Sequence, residues 1–275
     1  ESPLNFQSDV IQRRYCEMKQ IFYSLFVTIL IIGFQYQPIL ASEINQGLVL
    51  YLPFEEAGNP ADHSDNPAKP KINGKLDHVN GKFGKALEFN GKGGNVVEVP
   101  SVAKLVGMKA LTIAAWIKPN GIKGADGMSI ASKRIAHQNG DCYNLFTWTG
   151  QKMYARVNSK GQIVSNTILK DGEWYHVAFT FEGGSKIKLY LNGGEEVSIA
   201  HPDKAVLNDN KSPLWIGELN AGRNFAWNGI LDDVAMWNRA LSEKDIQSVM
   251  NKGLQLLLAV DPINKLAVTW AELKK

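Results

Sequence analysis

Two carboxylates set across a groove can cleave a glycosidic bond, one as acid and one as nucleophile. On a strand such partners must sit two or four apart, because successive side chains face opposite ways. That calls for a run such as Glu-x-Asp-x-x-Glu or Glu-x-Asp-x-Glu, and the sequence has neither. Glu55-Glu56 and Asp232-Asp233 are adjacent, so strand alternation predicts that each pair splits between faces. His63, His78, His137, His176 and His201 lack the His-x-His or His-x-x-x-His spacing of a metal site. His176 falls inside Trp174–Phe181, where packing or hydrogen bonding within a sheet is the expectation. There is no Gly-x-Ser-x-Gly elbow. A phosphate-binding Gly-x-x-x-x-Gly-Lys-Ser/Thr loop is also absent. Gly91-Lys92-Gly93-Gly94 lies between strands with no helix after it, which predicts a hairpin loop. These patterns point away from an enzyme.

Oxygen ligands and aromatic rings are better supplied. Asp62, Ser64, Asp65 and Asn66 crowd one loop, and Asp232 lies on the last patterned strand. Calcium takes six to eight oxygens, backbone carbonyls included. Two readings stand for this loop, a solvated polar turn and part of one structural calcium site. Trp116, Trp174 and Trp237 sit within apolar stretches and are expected to pack. Trp148 ends a stretch beside Gly150, and Trp227 lies with Arg223 in the loop Gly222–Gly229. Trp148, Arg223 and Trp227 are the candidate ligand contacts, because sugars stack on exposed rings.

The elements that must position these groups are strands. Leu111, Ile113, Ala115 and Ile117 share one face of Ala110–Lys118, with Thr112 and Trp116 on the other. Leu48–Phe54, Leu87–Phe89, Val97–Val99, Tyr143–Thr149, Lys152–Asn158, Trp174–Phe181, Lys186–Asn192, Leu214–Gly217 and Gly229–Asn238 have similar texture. Short strands of period two, with almost no helix, predict an all-β, two-sheet antiparallel sandwich. Asn192-Gly193 suits a tight hairpin, because both residues tolerate positive φ. With Gly183-Gly184 it predicts a three-strand meander over Trp174–Ser198. One short C-terminal helix is expected: Ser242 as N-cap, Asp245 closing a capping box, Ile246, Val249 and Met250 as its apolar face, and Gly253 as its stop.

With 44% hydrophobic and 21% charged residues, a chain of 275 residues can bury a sizeable core. A net charge of +3 without a Lys/Arg run argues against nucleic acid as partner. Residues 18–42 read as a signal peptide: Met18-Lys19, an apolar run Ile21–Phe34, then Leu40-Ala41-Ser42 for cleavage. The run is about 14 residues, short of the about 20 that span a bilayer. The expectation is export to the periplasm, cell surface or medium, with no membrane span in the mature protein. Residues 1–17 read as an over-extended N-terminus, and residues 254–275 as a C-terminal tail. Cys142 is then the one cysteine of the mature chain and is expected to be partly buried.

Gly229-Ile230-Leu231-Asp232-Asp233-Val234-Ala235-Met236-Trp237-Asn238-Arg239-Ala240-Leu241-Ser242 resembles the C-terminal signature of laminin-G-like jelly-roll domains. Four stretches agree in order. Gly47–Glu56 looks like the opening strand, and Gly81–Gly91 like the Gly-x-x-Gly-x-Ala-Leu-x-Phe-Asp-Gly run, with Asn90 for Asp. Leu111–Pro119 resembles the Trp-Ile-Lys-Pro strand, and Glu173–Ala178 with Leu189–Gly193 the Trp-x-His-Val-Ala and Leu-Tyr-Val-Asn-Gly pair. The resemblance covers residues 47–253 and implies a concanavalin A-like jelly roll of the secreted bacterial type. It implies a non-catalytic module that recognises carbohydrate or an extracellular protein. The same resemblance leaves open a hydrolase or lyase of that superfamily and a purely adhesive module. Members frequently hold one calcium between the loop after the first strand and the Asp of the last, which maps onto Asp62 and Asp232. The loop departs from the family's Ser-Gly-Asn-Gly, reading Ser64-Asp65-Asn66-Pro67. Trp227 stands where members carry a large aromatic, which favours packing.

Overall fold

A computed structural model describes residues 43–259 apart from 123–126, 136–139, 202–205 and 221–224, together with Lys19. The segment read as a signal peptide, apart from Lys19, and Arg223, His137 and the tail beyond residue 259 lie outside the described residues. The chain divides into two units. One joins Glu1–Asn45 to Leu257–Lys275, and within it residues 43–45 turn as helix. The other, Gln46–Leu256, carries the sandwich.

Among the described residues fifteen strands run in chain order: β1 (Leu48–Leu52), β2 (Lys71–Asn73), β3 (Asp77–Asn80), β4 (Lys85–Asn90), β5 (Val96–Val99), β6 (Ala110–Pro119), β7 (Met128–Lys133) and β8 (Tyr143–Trp148). β9 (Lys152–Val157), β10 (Lys160–Val164), β11 (Tyr175–Glu182), β12 (Lys186–Leu191), β13 (Gly194–Ala200), β14 (Leu214–Ile216) and β15 (Asn228–Trp237) complete them. Two helices follow, α1 (Glu243–Lys252) and α2 (Leu254–Ala259), one more than expected. The larger sheet has eight strands in the order β13-β12-β11-β6-β15-β4-β3, with β1 paired to β15. The smaller has seven, β10-β9-β8-β7-β14-β5-β2. The ladders are antiparallel, and the faces turned together make one core of Leu111, Ile113, Ile117, Val177, Phe179 and Leu189 from one sheet with Val97, Ile130, Leu145, Ala155 and Ile216 from the other.

The local devices read from the sequence are present. Asn192 (φ 49) and Gly193 (φ 81) make the tight turn from β12 to β13. Ser242 accepts from the Asp245 amide at 3.1 Å while Asp245 accepts from the Ser242 amide at 3.2 Å, so the capping box starts α1. Ile246 and Val249 are its buried face, and Gly253 caps its end.

β15 changes partners midway. Its first half pairs β4 and its second half β1, while β6 runs along its other side. The register with β6 slips between Asp232 and Ala235, and Asp233 takes a φ of 50°. That bulge replaces simple alternation at the aspartate pair.

Candidate functional site

The outer face of the smaller sheet carries the open site. Along β8 the core takes Tyr143 and Leu145, so Asn144, Phe146 and Trp148 point the other way. Along β9 the core takes Met153, Ala155 and Val157, leaving Tyr154 and Arg156 outward. Register sets Phe146 opposite Tyr154 and Asn144 opposite Arg156. Phe146 and Tyr154 stack with centroids 5.4 Å apart, and Trp148 meets Tyr154 edge-on at 5.9 Å. Trp148 remains 39% exposed, an unusual state for so large a ring. Beside it opens a cavity of about 280 Å³ lined by Arg134, Phe146, Trp148, Arg156, Leu219 and Phe225, with Gln162 at β10.

Its charges come from the loop between β7 and β8 and from Arg156 on β9. Asp141 is fully buried and holds two guanidiniums, Arg134 Nε at 2.5 Å and Arg156 at 2.6 Å. Burial works to lower the Arg134 pKa, and Asp141 works to keep it charged. Next to this cluster, a row across the same face runs Glu98, Trp215, Ser132, Asn144 and Arg156. Trp215 Nε1, Ser132 Oγ, both polar atoms of the Asn144 amide and Arg156 Nε are buried without a hydrogen-bond partner among the described residues. Buried polar groups are ordinarily paired, so this row holds hydrogen-bonding capacity that no described residue uses. Among the described residues, no carboxylate lines the cavity.

The sequence candidates fare unequally. Trp148 is the exposed ring of the site. Trp227 is corrected: it is 1% exposed, its amide bonds the Gly217 carbonyl at 2.8 Å, and its ring belongs to the core, so it cannot stack on a ligand. The packing role that the resemblance favoured is the one it has. Arg134, Asp141 and Arg156 were not singled out by the sequence. Their signal was slight, an arginine at an outward position of β9 and a charged pair in a loop.

Asp62 and Asp232 do not come together either. Asp62 Oδ1 accepts from the amides of Tyr51 and Ser64, and Oδ2 from the amide of Ala68 at 2.7 Å and the Lys104 ammonium at 2.9 Å. Burial works to raise its pKa, but these donors together hold it below the usual value. Lys104 Nζ also donates to Ser64 Oγ at 2.8 Å and to the Asn66 carbonyl at 2.5 Å, so all three ammonium protons are used. The oxygens expected to face calcium therefore converge on a cation that the chain itself supplies. Asp232 Oδ2 accepts from the amides of Lys82 at 2.7 Å and Phe83 at 3.0 Å, and Oδ1 has no partner. A Cβ on Gly81 would stand 2.5 Å from Asp232 Oδ2, so glycine is what lets that loop close over the carboxylate. Burial first, and the neighbouring Asp233, push Asp232 up to about 7. Burial likewise raises Asp233 to about 6, although it accepts from the Tyr51 hydroxyl at 2.7 Å. The two aspartates share no donor, and among the described residues no group of three or more acidic, histidine or cysteine side chains could hold a metal ion. The donor set does not fit one calcium between Asp62 and Asp232.

The other expected sites are structural. His176 is buried edge-on to Trp116 at 5.3 Å, and burial lowers its pKa to about 3, so it stays neutral. Trp116 packs on the outer side of the larger sheet against Phe83 and Trp174, with Lys82 Nζ 4.5 Å from its ring. Cys142 is wholly buried and free, and burial raises its thiol to about 11.

The laminin-G family model described as the concanavalin A-like lectin/glucanases superfamily matches residues 90–247, more than half of the chain. The chain belongs to that superfamily. No curated protein matches it. Among solved structures it is similar to the binding domain of Paraclostridial Mosquitocidal Protein 1, at 19% identity and TM-score 0.62, over 76% of this chain and 52% of that one. It is similar to domain 4 of AbnA, a GH43 extracellular arabinanase from Geobacillus stearothermophilus in complex with arabinotriose, at 19% identity and TM-score 0.58, over 74% of this chain and 98% of that one. A third is the Botulinum Neurotoxin serotype G binding domain, at 15% identity and TM-score 0.58, over 74% and 50%. The chain thus spans about half the length of the toxin binding domains it matches.

Proposed function

We propose that this protein is a non-catalytic carbohydrate-binding module of an exported protein, and that the outer face of its smaller sheet holds the sugar. One observation carries the reading: Trp148 stays exposed on a stacked Phe146–Tyr154 base, at the mouth of a cavity of about 280 Å³. A ring so placed offers a sugar an apolar face, and Arg156, with its side chain 22% exposed, lines the same cavity as a donor for hydroxyls. Similarity to domain 4 of AbnA, solved with arabinotriose, supports a glycan over a protein partner. Hydrolysis is disfavoured, because a general acid and base must both reach the substrate and no carboxylate among the described residues lines the cavity. Export rests on the apolar run before Leu40-Ala41-Ser42.

The test is a glycan array probed with wild type and Trp148→Ala. Binding by wild type that falls at least about tenfold in the variant, about 1.4 kcal/mol, is expected. Full binding by Trp148→Ala would move the site elsewhere, and no binding by wild type would favour the adhesive reading.

A further inference from the structure

We propose that the cavity selects a sugar that bears a carboxylate, an inference that rests on the glycan-binding reading above. Among the described residues, the charged side chains lining the cavity are Arg134 and Arg156. Among the described residues one carboxylate, Asp141, pairs with both, so these three side chains carry one net positive charge. Glu218, next to the lining residue Leu219, directs its carboxylate to the Gly94 amide at 2.8 Å. Arg134 is buried and fixed against Asp141, whereas the Arg156 side chain is 22% exposed. Arg156 spends one terminal nitrogen on Asp141 Oδ2 and keeps part of its side chain exposed in the cavity. Asp141 therefore orients the guanidinium through one of its three nitrogens. A planar carboxylate matches a guanidinium fork with two parallel hydrogen bonds. Trp148 and Phe146, which line the same cavity, supply the apolar surface for the pyranose that carries it, with Tyr154 packed behind them. One excess charge in a walled cavity suits a single acidic residue of a glycan better than a polyanionic backbone, which needs a stripe of cations.

Two kinds of sugar offer this group, hexuronates and sialates, and the experiment separates them. Calorimetric titration of the wild-type protein with trigalacturonate, with 3′-sialyllactose and with the methyl ester of each compares acid and ester on one scaffold. The acid form of one or both is expected to bind about tenfold tighter than its ester, a factor equal to about 1.4 kcal/mol. Arg156→Gln should bring that ratio close to one, and Arg156→Lys should restore part of it. Thermal melts show whether each variant is folded. If Arg156→Gln does not fold, the wild-type ratio and its decline with added salt decide. Equal affinity for acid and ester, or a ratio that survives Arg156→Gln, overturns the proposal. A neutral glycan bound at Trp148 while both acids fail overturns it too, yet leaves the glycan-binding reading intact. Failure of every glycan removes both.

Discussion

Asp62 and Asp141 are both buried carboxylates held by cations, yet one region is closed and the other is open. At Asp62 three amides and one ammonium meet one carboxylate, and the ammonium has no proton to spare. That cluster ties the loop after β1 to the turn at Lys104 and ends there. At Asp141 two guanidiniums share one carboxylate beside a cavity, and one of them stays partly exposed there. The difference lies in bookkeeping of donors: balance makes a strap, surplus makes a site. Asp232 extends the comparison as a buried carboxylate with only amides for partners, and its raised pKa is the consequence.

The largest effect is expected where two cations depend on one anion. Asp141→Asn removes the carboxylate shared by the buried Arg134 and the partly buried Arg156 and should cost about 3–5 kcal/mol in urea unfolding. A cost under about 1 kcal/mol would mean that the arginines turn to solvent and that the surplus does not exist in the folded protein.

Lys104→Met removes the ammonium from Asp62 but leaves its three amides, so a smaller loss, about 2–3 kcal/mol, is expected in the same assay. No loss would reduce the Lys104 contact to a surface ion pair.

Opposite pKa shifts at these carboxylates give opposite pH slopes. Asp232 and Asp233 are raised from 3.8 to about 7 and about 6, so the folded chain keeps protons that the unfolded chain has released. Their contribution is complete below about 4 and is lost as pH rises through about 6 to 7, on the order of 4 kcal/mol for the pair between pH 5 and pH 8. Asp62 is lowered, so its contribution stands above 3.8 and is lost at more acid pH. Melting temperature should therefore peak between about pH 4 and pH 6, and Asp232→Asn should flatten the alkaline side. A wild-type curve that keeps rising to pH 8 would contradict the buried state of the pair.

The smallest expected effect is that of calcium. With Lys104 standing among the Asp62 loop oxygens, melting temperature should be the same in calcium and in chelator. A chelator-sensitive melt that Lys104→Met abolishes would show that the ammonium shares its place with a metal.

Much of the sandwich was legible because its strands alternate, as Ala110–Lys118 does, and because Asn192-Gly193 and Ser242-Asp245 carry their geometry locally. β7 was missed for the opposite reason: all six of its residues are buried, so no polar face marks it. β2, β3 and β10 are short strands of mixed polarity, too brief to set a period. The site was half legible. Trp148 and Trp227 look alike in sequence, each beside a glycine-containing loop, and only the bonds of Trp227 to Gly217 and Gly91 pull it inward. Arg134, Asp141 and Arg156 come from a loop and a strand whose meeting is a product of register between β8 and β9, which no local spacing records.

The most direct test of the account is a crystal structure with the best-bound glycan of the array. It should show a sugar ring on Trp148, with Arg156 donating to the sugar. A sugar seated instead in the groove of the larger sheet, lined by Thr180, Lys188, Tyr190 and Glu195, would contradict it.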